Sequence, residues 1–144
     1  EEEKKRMESH ELEFLVKPCK IQIMKGYVFR QNNPAVVGVD ILEGKLKVNV
    51  PLMKKDGIRI TEAKSIQDNQ ESINEAEKGK QVAVSLPKVA VGRQIFEGDI
   101  LYSAIPEEHF RKLREHKKYL SEGEKSVMKE IASIMREKNP VWGI

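Results

Sequence analysis

Between Cys19 and Ile105 the apolar residues recur at every second position in short runs, and each run ends at a turn signal. Cys19, Ile21 and Ile23 alternate with Lys20, Gln22 and Met24, and Val37, Val39 and Ile41 alternate with Gly38, Asp40 and Leu42. Val48, Val50 and Leu52 repeat the pattern, as do Val82, Val84 and Leu86. A period of two puts the apolar side chains of a run on one face of a strand, so these segments read as half-buried strands. Turn chemistry separates them at Arg30 to Pro34, at Leu42-Glu43-Gly44-Lys45, at Lys54-Lys55-Asp56-Gly57, at Gly79 and at Phe96-Glu97-Gly98-Asp99. Several short strands at this spacing predict a sandwich or a closed barrel, and closure leaves no bare edges.

Helical signals begin at Pro106, a residue suited to the first helical position, followed by Glu107 and Glu108 where they meet the positive helix end. Phe110, Leu113 and Leu120 share one stripe. Ser121 and Glu124 form a capping box that starts a second helix, and Asn139-Pro140 stops it. Its apolar face, Val127, Met128, Ile131, Ile134 and Met135, has the spacing of a core-packing stripe, and a helix hairpin against the barrel is predicted. The functional alternative is that part of this stripe, with Val141 and Trp142, forms a groove for a partner. Residues 1–13 read as the exposed end of a longer linker helix, which Pro18 prevents from continuing past Lys17. The expected division is therefore 1–13 linker-helix end, 14–105 barrel, and 106–144 helix pair and tail. A start at Glu1 suggests a processed or excised segment of a longer chain.

With 39% hydrophobic and 34% charged residues in 144, the chain suits one soluble domain with a real core. No apolar run approaches the roughly 20 residues of a membrane-spanning helix, and the acidic start is unlike a signal peptide, so a cytoplasmic protein without membrane contact is expected. The single cysteine, Cys19, lacks a partner for an internal disulfide or a CxxC metal site, and reads as a small core residue. Net charge is only +3, but residues 14–66 carry ten bases against four acids, whereas 67–144 carry thirteen of each. The first half of the barrel is thus where a phosphate backbone would be drawn, with solvated lysine-bearing strand faces as the plainer alternative.

Catalytic readings find little support. There is no Gly-x4-Gly-Lys-Ser/Thr phosphate loop. His109 and His116 are seven residues apart on a predicted helix, about 10 Å, too far to share one metal ion unaided, and solvent-facing positions are expected for them. No catalytic residue and no metal ligand is expected in this chain.

The segments Gly38-Val-Asp-Ile-Leu-Glu-Gly-Lys-Leu46, Ile60 to Gln67, Ala76 to Val84 and Phe96 to Leu101, with the ending Asn139-Pro-Val-Trp-Gly-Ile144, carry a resemblance. The chain resembles, over residues 14–144, domain four of the archaeal and eukaryotic initiation factor five-B family, the counterpart of bacterial initiation factor two. The resemblance implies a mainly β fold: a closed barrel like domain two of translational GTPases, then two C-terminal helices. It also implies recognition of the methionylated acceptor end of initiator tRNA, in support of ribosomal subunit joining. The bacterial site segments match Gly38 and Val39, with valine in place of cysteine; Lys64, Ser65 and Ile66; and Glu77, Lys78 and Gly79, followed by Lys80. Glycines let an acceptor end approach the backbone, although hairpin turns need glycine regardless. Val39 and Ile66 are expected to line an apolar slot for methionine, Lys64, Lys78 and Lys80 to meet phosphates, and Glu77 to meet the amino group. A protein partner, initiation factor one-A, is expected on Ile131, Ile134, Met135, Val141 and Trp142, such that Trp142→Ala weakens that contact without unfolding the barrel. Other expected partners are the ribosome and initiator tRNA. The segment is expected to be monomeric and without a cofactor, GTP and magnesium belonging to its parent GTPase. The competing readings are a protein-docking module acting through the helices, and a general RNA-binding barrel indifferent to the attached amino acid.

Overall fold

The structure, a computed structural model, describes residues 12–144. The predicted linker-helix end over 1–13 therefore lies outside the described residues except for Leu12 and Glu13. Nine strands follow: β1 (Cys19–Arg30), β2 (Ala35–Lys47), β3 (Pro51–Met53), β4 (Arg59–Glu62), β5 (Ser65–Asp68), β6 (Glu71–Ile73), β7 (Glu75–Glu77), β8 (Gln81–Leu86) and β9 (Ile100–Ser103). Helix α1 (Glu107–Glu115), a 3-10 turn at Lys117–Tyr119 and helix α2 (Glu122–Arg136) complete the chain. No described helix is long and apolar enough to cross a membrane.

The strands pair antiparallel in the order β4-β3-β9-β1-β2-β8-β5-β6, with β7 added to the far end of β2. The sheet curls into a half-barrel rather than the closed barrel expected, because its terminal strands form no ladder with each other. The physical reason lies in β4 and β5. They are successive parts of one chain segment that bends at Ala63-Lys64, β4 laddering with β3 and β5 with β8. Strands joined end to end do not pair side by side, and β5 carries on its outer side β6, the terminal strand of that flank.

The predicted hairpin turn at Leu42 to Lys45 is a second correction, since β2 runs straight through it. Gly44 sits there at φ +77°, and a Cβ would collide with the Pro18 carbonyl oxygen. This left-handed residue redirects β2 from β8, which it pairs over Ala35–Asp40, to β7, which it pairs over Lys45–Lys47. The alternation itself holds. Cys19, Ile21, Ile23, Val37, Val39 and Ile41 all lie at 1% exposure or less and fill the barrel interior with Leu52, Ile66, Val84 and Leu101.

A second apolar cluster joins the helices to the outside of the sheet, with Met53, Tyr102 and Ile105 beneath Phe110, Leu113, Val127 and Ile131. The capping box forms as predicted: Glu124 N donates to Ser121 Oγ at 3.1 Å, and Ser121 N donates to Glu124 Oε1 at 3.0 Å. Pro106 stands one place earlier than expected, at the N-cap of α1. One polar cluster ties α2 to the sheet. Glu130 Oε1 accepts from Lys20 Nζ at 2.9 Å and from the Tyr102 hydroxyl at 3.2 Å. That hydrogen bond is the main reason the Lys20 ammonium holds its proton above the ordinary range, while burial first, and then Glu130, raises the Tyr102 hydroxyl.

Candidate nucleic-acid interface

From Ala35 to Ile41 of β2 the odd-numbered residues face inward, leaving Val36, Gly38 and Asp40 on the outer face. Opposite Gly38 the β1 strand bulges. Ile23 pairs with Val39 and Val28 with Val37, so the four residues Met24 to Tyr27 oppose Gly38 alone. The bulge swings Tyr27 across the glycine. On the other flank Gly38 pairs with Ala83, and Ala83 with Gln67. Two adjacent positions of minimal side chain thus lower the floor of a groove of about 500 Å³. Its walls are Met24, Tyr27 and Phe29 on the β1 side and the β5–β6 hairpin, Gln67 to Gln70, on the other. Tyr27 is 50% and Phe29 64% exposed, so two aromatic faces are open to a ligand. The hairpin turns through Asn69 (φ 51°) and Gln70 (φ 68°), two consecutive left-handed residues of the primed turn that matches strand twist.

The residues expected from sequence divide around this groove. Gly38 is on its floor. Lys64 and Ser65 are exposed at the start of β5, and Ser65 pairs with Ser85, itself paired with Val36 of the groove floor. Lys64 makes no ion pair with another described residue. At the other end of β5, Lys80 Nζ lies 3.5 Å from Asp68 Oδ2 on the groove wall. Glu77, Lys78 and Gly79 form the β7–β8 turn beside the distal half of β2, closed by Gly79 N to the Ile41 carbonyl oxygen at 2.9 Å. Lys78 pairs there with Glu43 at 2.8 Å and Glu77 with Lys45 at 4.0 Å. Exposed pairs of this kind contribute roughly 0–1 kcal/mol, so their partners exchange readily.

Two expected side chains are not available to a ligand. Val39 is 0% and Ile66 1% exposed, both pointing into the barrel core, so the predicted apolar slot between them is closed. Conversely, sequence reading missed Tyr27 and Phe29. The alternation rule assigns no exposed aromatic face to them, because a bulge breaks the period of β1 immediately before. The one available signal was Gly26 beside three large apolar residues, which marks a strand irregularity.

The expected partner face also resolves differently. Ile131 is fully buried, and Ile134 and Met135 are half-buried beside the Gly57 turn between β3 and β4. Trp142 is 6% exposed, its ring 4.8 Å from that of Phe110, and its carbonyl oxygen accepts from Arg136 Nε at 2.7 Å. These are core contacts rather than an open groove, and of the five expected residues only Val141, at 65%, is exposed. His109, expected to face solvent, is half-buried and accepts at Nδ1 from Val16 N at 3.0 Å. Among the described residues no three His, Cys, Asp or Glu side chains are placed to hold a metal ion.

Comparison with known proteins adds to this geometry. The family described as Elongation factor Tu domain 4 matches residues 17–102. A protein of Ignicoccus hospitalis named "Probable translation initiation factor IF-2" is 47% identical over 146 residues, covering 100% of this chain and 23% of that protein. A protein of the same name in Hyperthermus butylicus is 48% identical over 136 residues, covering 93% of this chain and 22% of its own length. Among solved structures, GDP-bound aIF5B from Aeropyrum pernix superposes with a TM-score of 0.88 at 37% identity, covering 97% of this chain and 24% of that one. The bacterial selenocysteine-specific elongation factor EF-Sec shares the fold, with a TM-score of 0.50 at 22% identity over 72% of this chain and 17% of its own. The chain thus spans about a quarter of the length of the curated relatives it matches.

Proposed function

Because this chain belongs to the Elongation factor Tu domain 4 family, as domain four of a translation initiation factor of the archaeal IF-2 (aIF5B) type, we propose that it binds the methionylated acceptor end of initiator tRNA. In this reading it supports ribosomal subunit joining by a cytoplasmic parent GTPase, and it acts by binding rather than by chemistry. GTP and magnesium are held by a part of the parent outside this chain.

The observation that carries the reading is the groove over Gly38, walled by Tyr27 and Phe29. An unpaired 3′ end presents flat bases, and stacking on an exposed aromatic ring contributes about 1–3 kcal/mol per base without demanding a particular sequence. Gly38 and Ala83 let the strand sit close to the sheet, and Lys64 and Lys80 at opposite ends of β5 meet phosphates. Glu77 and Lys78 lie on the neighbouring turn, within the set that meets the aminoacylated terminus. With the Val39–Ile66 slot closed, the methionine side chain packs against Met24 and Phe29 instead.

Binding of the chain to initiator tRNA with and without esterified methionine, at two salt concentrations, tests this. Charging is expected to tighten binding, with Tyr27→Ala weakening both forms and Lys64→Ala or Glu77→Ala removing the difference. Equal, salt-sensitive binding of both forms would leave only a general RNA-binding surface.

A second reading rests on the exposed Val141 and Ile144, at 65% and 66%. They give initiation factor one-A an apolar foothold at the chain's C-terminal tail, in place of the buried Trp142. The chain engages these partners as a monomer.

A further inference from the structure

Around the Gly38 floor the outer face of the sheet is laid out in cross-strand rows. Gly38, Ala83 and Gln67 form one row, with Tyr27 across its β1 end. Gln22, Asp40 and Gln81 form the next, each residue paired with its neighbour. Paired side chains of one face stand about 5 Å apart. Successive rows of one face are about 7 Å apart, so Asp40 and Gln81 border the depression over Gly38 and Ala83. These neighbours differ in the hydrogen bonds they have left to offer. Gln22 is committed, its Nε2 donating to the Gly98 carbonyl oxygen at 3.2 Å. Gln67 and Gln81 are exposed and Asp40 is half-buried, and none of these three side chains makes a hydrogen bond or ion pair with another described residue. Asp68 on the groove wall is already matched by Lys80. No lysine or arginine is among the described residues that line the groove.

Building on the acceptor-end reading, we propose that this groove selects RNA bases that carry an exocyclic amino group, and that Asp40 is the residue that makes the selection. Tyr27 and Phe29 stack any base, because every base has a flat face. Gln67 and Gln81 hold any edge, since an amide turns its oxygen or its nitrogen to suit. Asp40 has no such choice, because an ionised carboxylate only accepts. Adenine, cytosine and guanine each present an amino group from which a carboxylate accepts, whereas uracil has none. The single ring N–H of uracil lies between two carbonyl oxygens, and a carboxylate approaches it against their lone pairs. A phosphate is the poorest occupant of this spot, since Asp40 repels it and no cation of the lining offsets that repulsion. A base edge, not the backbone, is therefore what lies against Asp40, as in other unpaired RNA read by its edges.

The test uses hexauridylate and three hexanucleotides that differ from it only in the 3′-terminal base, which is cytosine, adenine, or purine as adenine without its amino group. Each is titrated against the unmodified chain, Asp40→Asn and Tyr27→Ala, with the NMR amide signals of Gly38, Ala83 and Gln81 as the readout. Cytosine and uracil are matched in ring size, as are adenine and purine, so stacking nearly cancels within each pair. The unmodified chain is expected to bind the amino member of each pair roughly tenfold more tightly. Asp40→Asn is isosteric and at an outward position, and unchanged circular dichroism serves as its folding control. It should bring both ratios close to one, whereas Tyr27→Ala should weaken all four ligands and keep the ratios. Equal affinity within either pair, or no movement of the groove signals with any hexanucleotide, would overturn the proposal. So would ratios that Asp40→Asn leaves intact. A loss in that variant confined to methionylated tRNA would overturn it too, by giving the carboxylate to the α-ammonium of the esterified amino acid. The acceptor-end reading falls on a different result, intact methionylated initiator tRNA failing to move the same signals.

Discussion

Tyr27 lies across Gly38 so closely that a Cβ built on the glycine would stand 2.8 Å from the Tyr27 Cβ. Since the atom met is a Cβ and not the mobile end of a side chain, the bulge itself must move to admit it. Gly38→Ala is therefore expected to lift Tyr27 off the groove floor, destabilise the fold by about 1–3 kcal/mol and weaken tRNA binding. Titration with charged initiator tRNA beside urea unfolding checks both effects. Wild-type affinity in a folded variant would show that the tyrosine's seat does not matter.

Trp142→Ala is expected to act on stability first. The side chain is nearly fully buried against Phe110, and truncating such an aromatic costs about 3–5 kcal/mol. Thermal unfolding followed by circular dichroism should show a large fall in midpoint. A midpoint within a degree or two of wild type would restore the ring to the role of a surface anchor.

Two of the left-handed glycines, Gly44 and Gly79, should respond differently to the same change. Gly44 at φ +77° is pressed against the Pro18 carbonyl oxygen and the Cys19 backbone, whereas Gly79 at φ +93° has no atom within 4 Å of a built Cβ. Gly79→Ala is expected to cost about 1–2 kcal/mol from backbone conformation alone. Gly44→Ala adds a backbone collision and should cost clearly more, as urea midpoints would show. Equal losses would contradict the role assigned to Gly44 in steering β2.

Alkaline pH should destabilise the protein. Burial drives the Cys19 thiol far above its ordinary 9.0, and Tyr102 and Lys20 are raised above 10.0 and 10.5. For each, the unfolded chain releases its proton first, so this stability is whole below those ordinary values and is lost as pH climbs toward the folded ones. Lys17 works the other way. Its ammonium is lowered, chiefly by burial and then by Lys47, and it offsets part of the loss. Urea midpoints are expected to stay level to about pH 9 and then fall, less steeply in Tyr102→Phe. A level midpoint to pH 11 would contradict these assignments.

What the chain made legible was local. Alternation marked the buried face of Cys19, Ile21 and Ile23, and Ser121 with Glu124 marked a helix start to the residue, because each depends on neighbours a few positions apart. The candidate site was only partly legible. Gly38 lies on the groove floor with Lys64, Ser65 and Lys80 near β5, but Tyr27 enters through a bulge whose register is set by pairing with β2, and Val39 and Ile66 are buried by the same pairing. Trp142 was misplaced for a related reason. Only the folded helices show that Phe110 waits beneath it.

The continuous run of β4 into β5 gives the half-barrel a property that its open ladder conceals. A sheet with two free edges can unroll by parting them, but here one edge, β4, runs on through Ala63-Lys64 into β5, the strand next to the other edge, β6. Widening the gap means stripping β4 from β3 or β5 from β8. The opening is thus limited by a covalent link, and the groove beside β5 stands on the strand that the link holds.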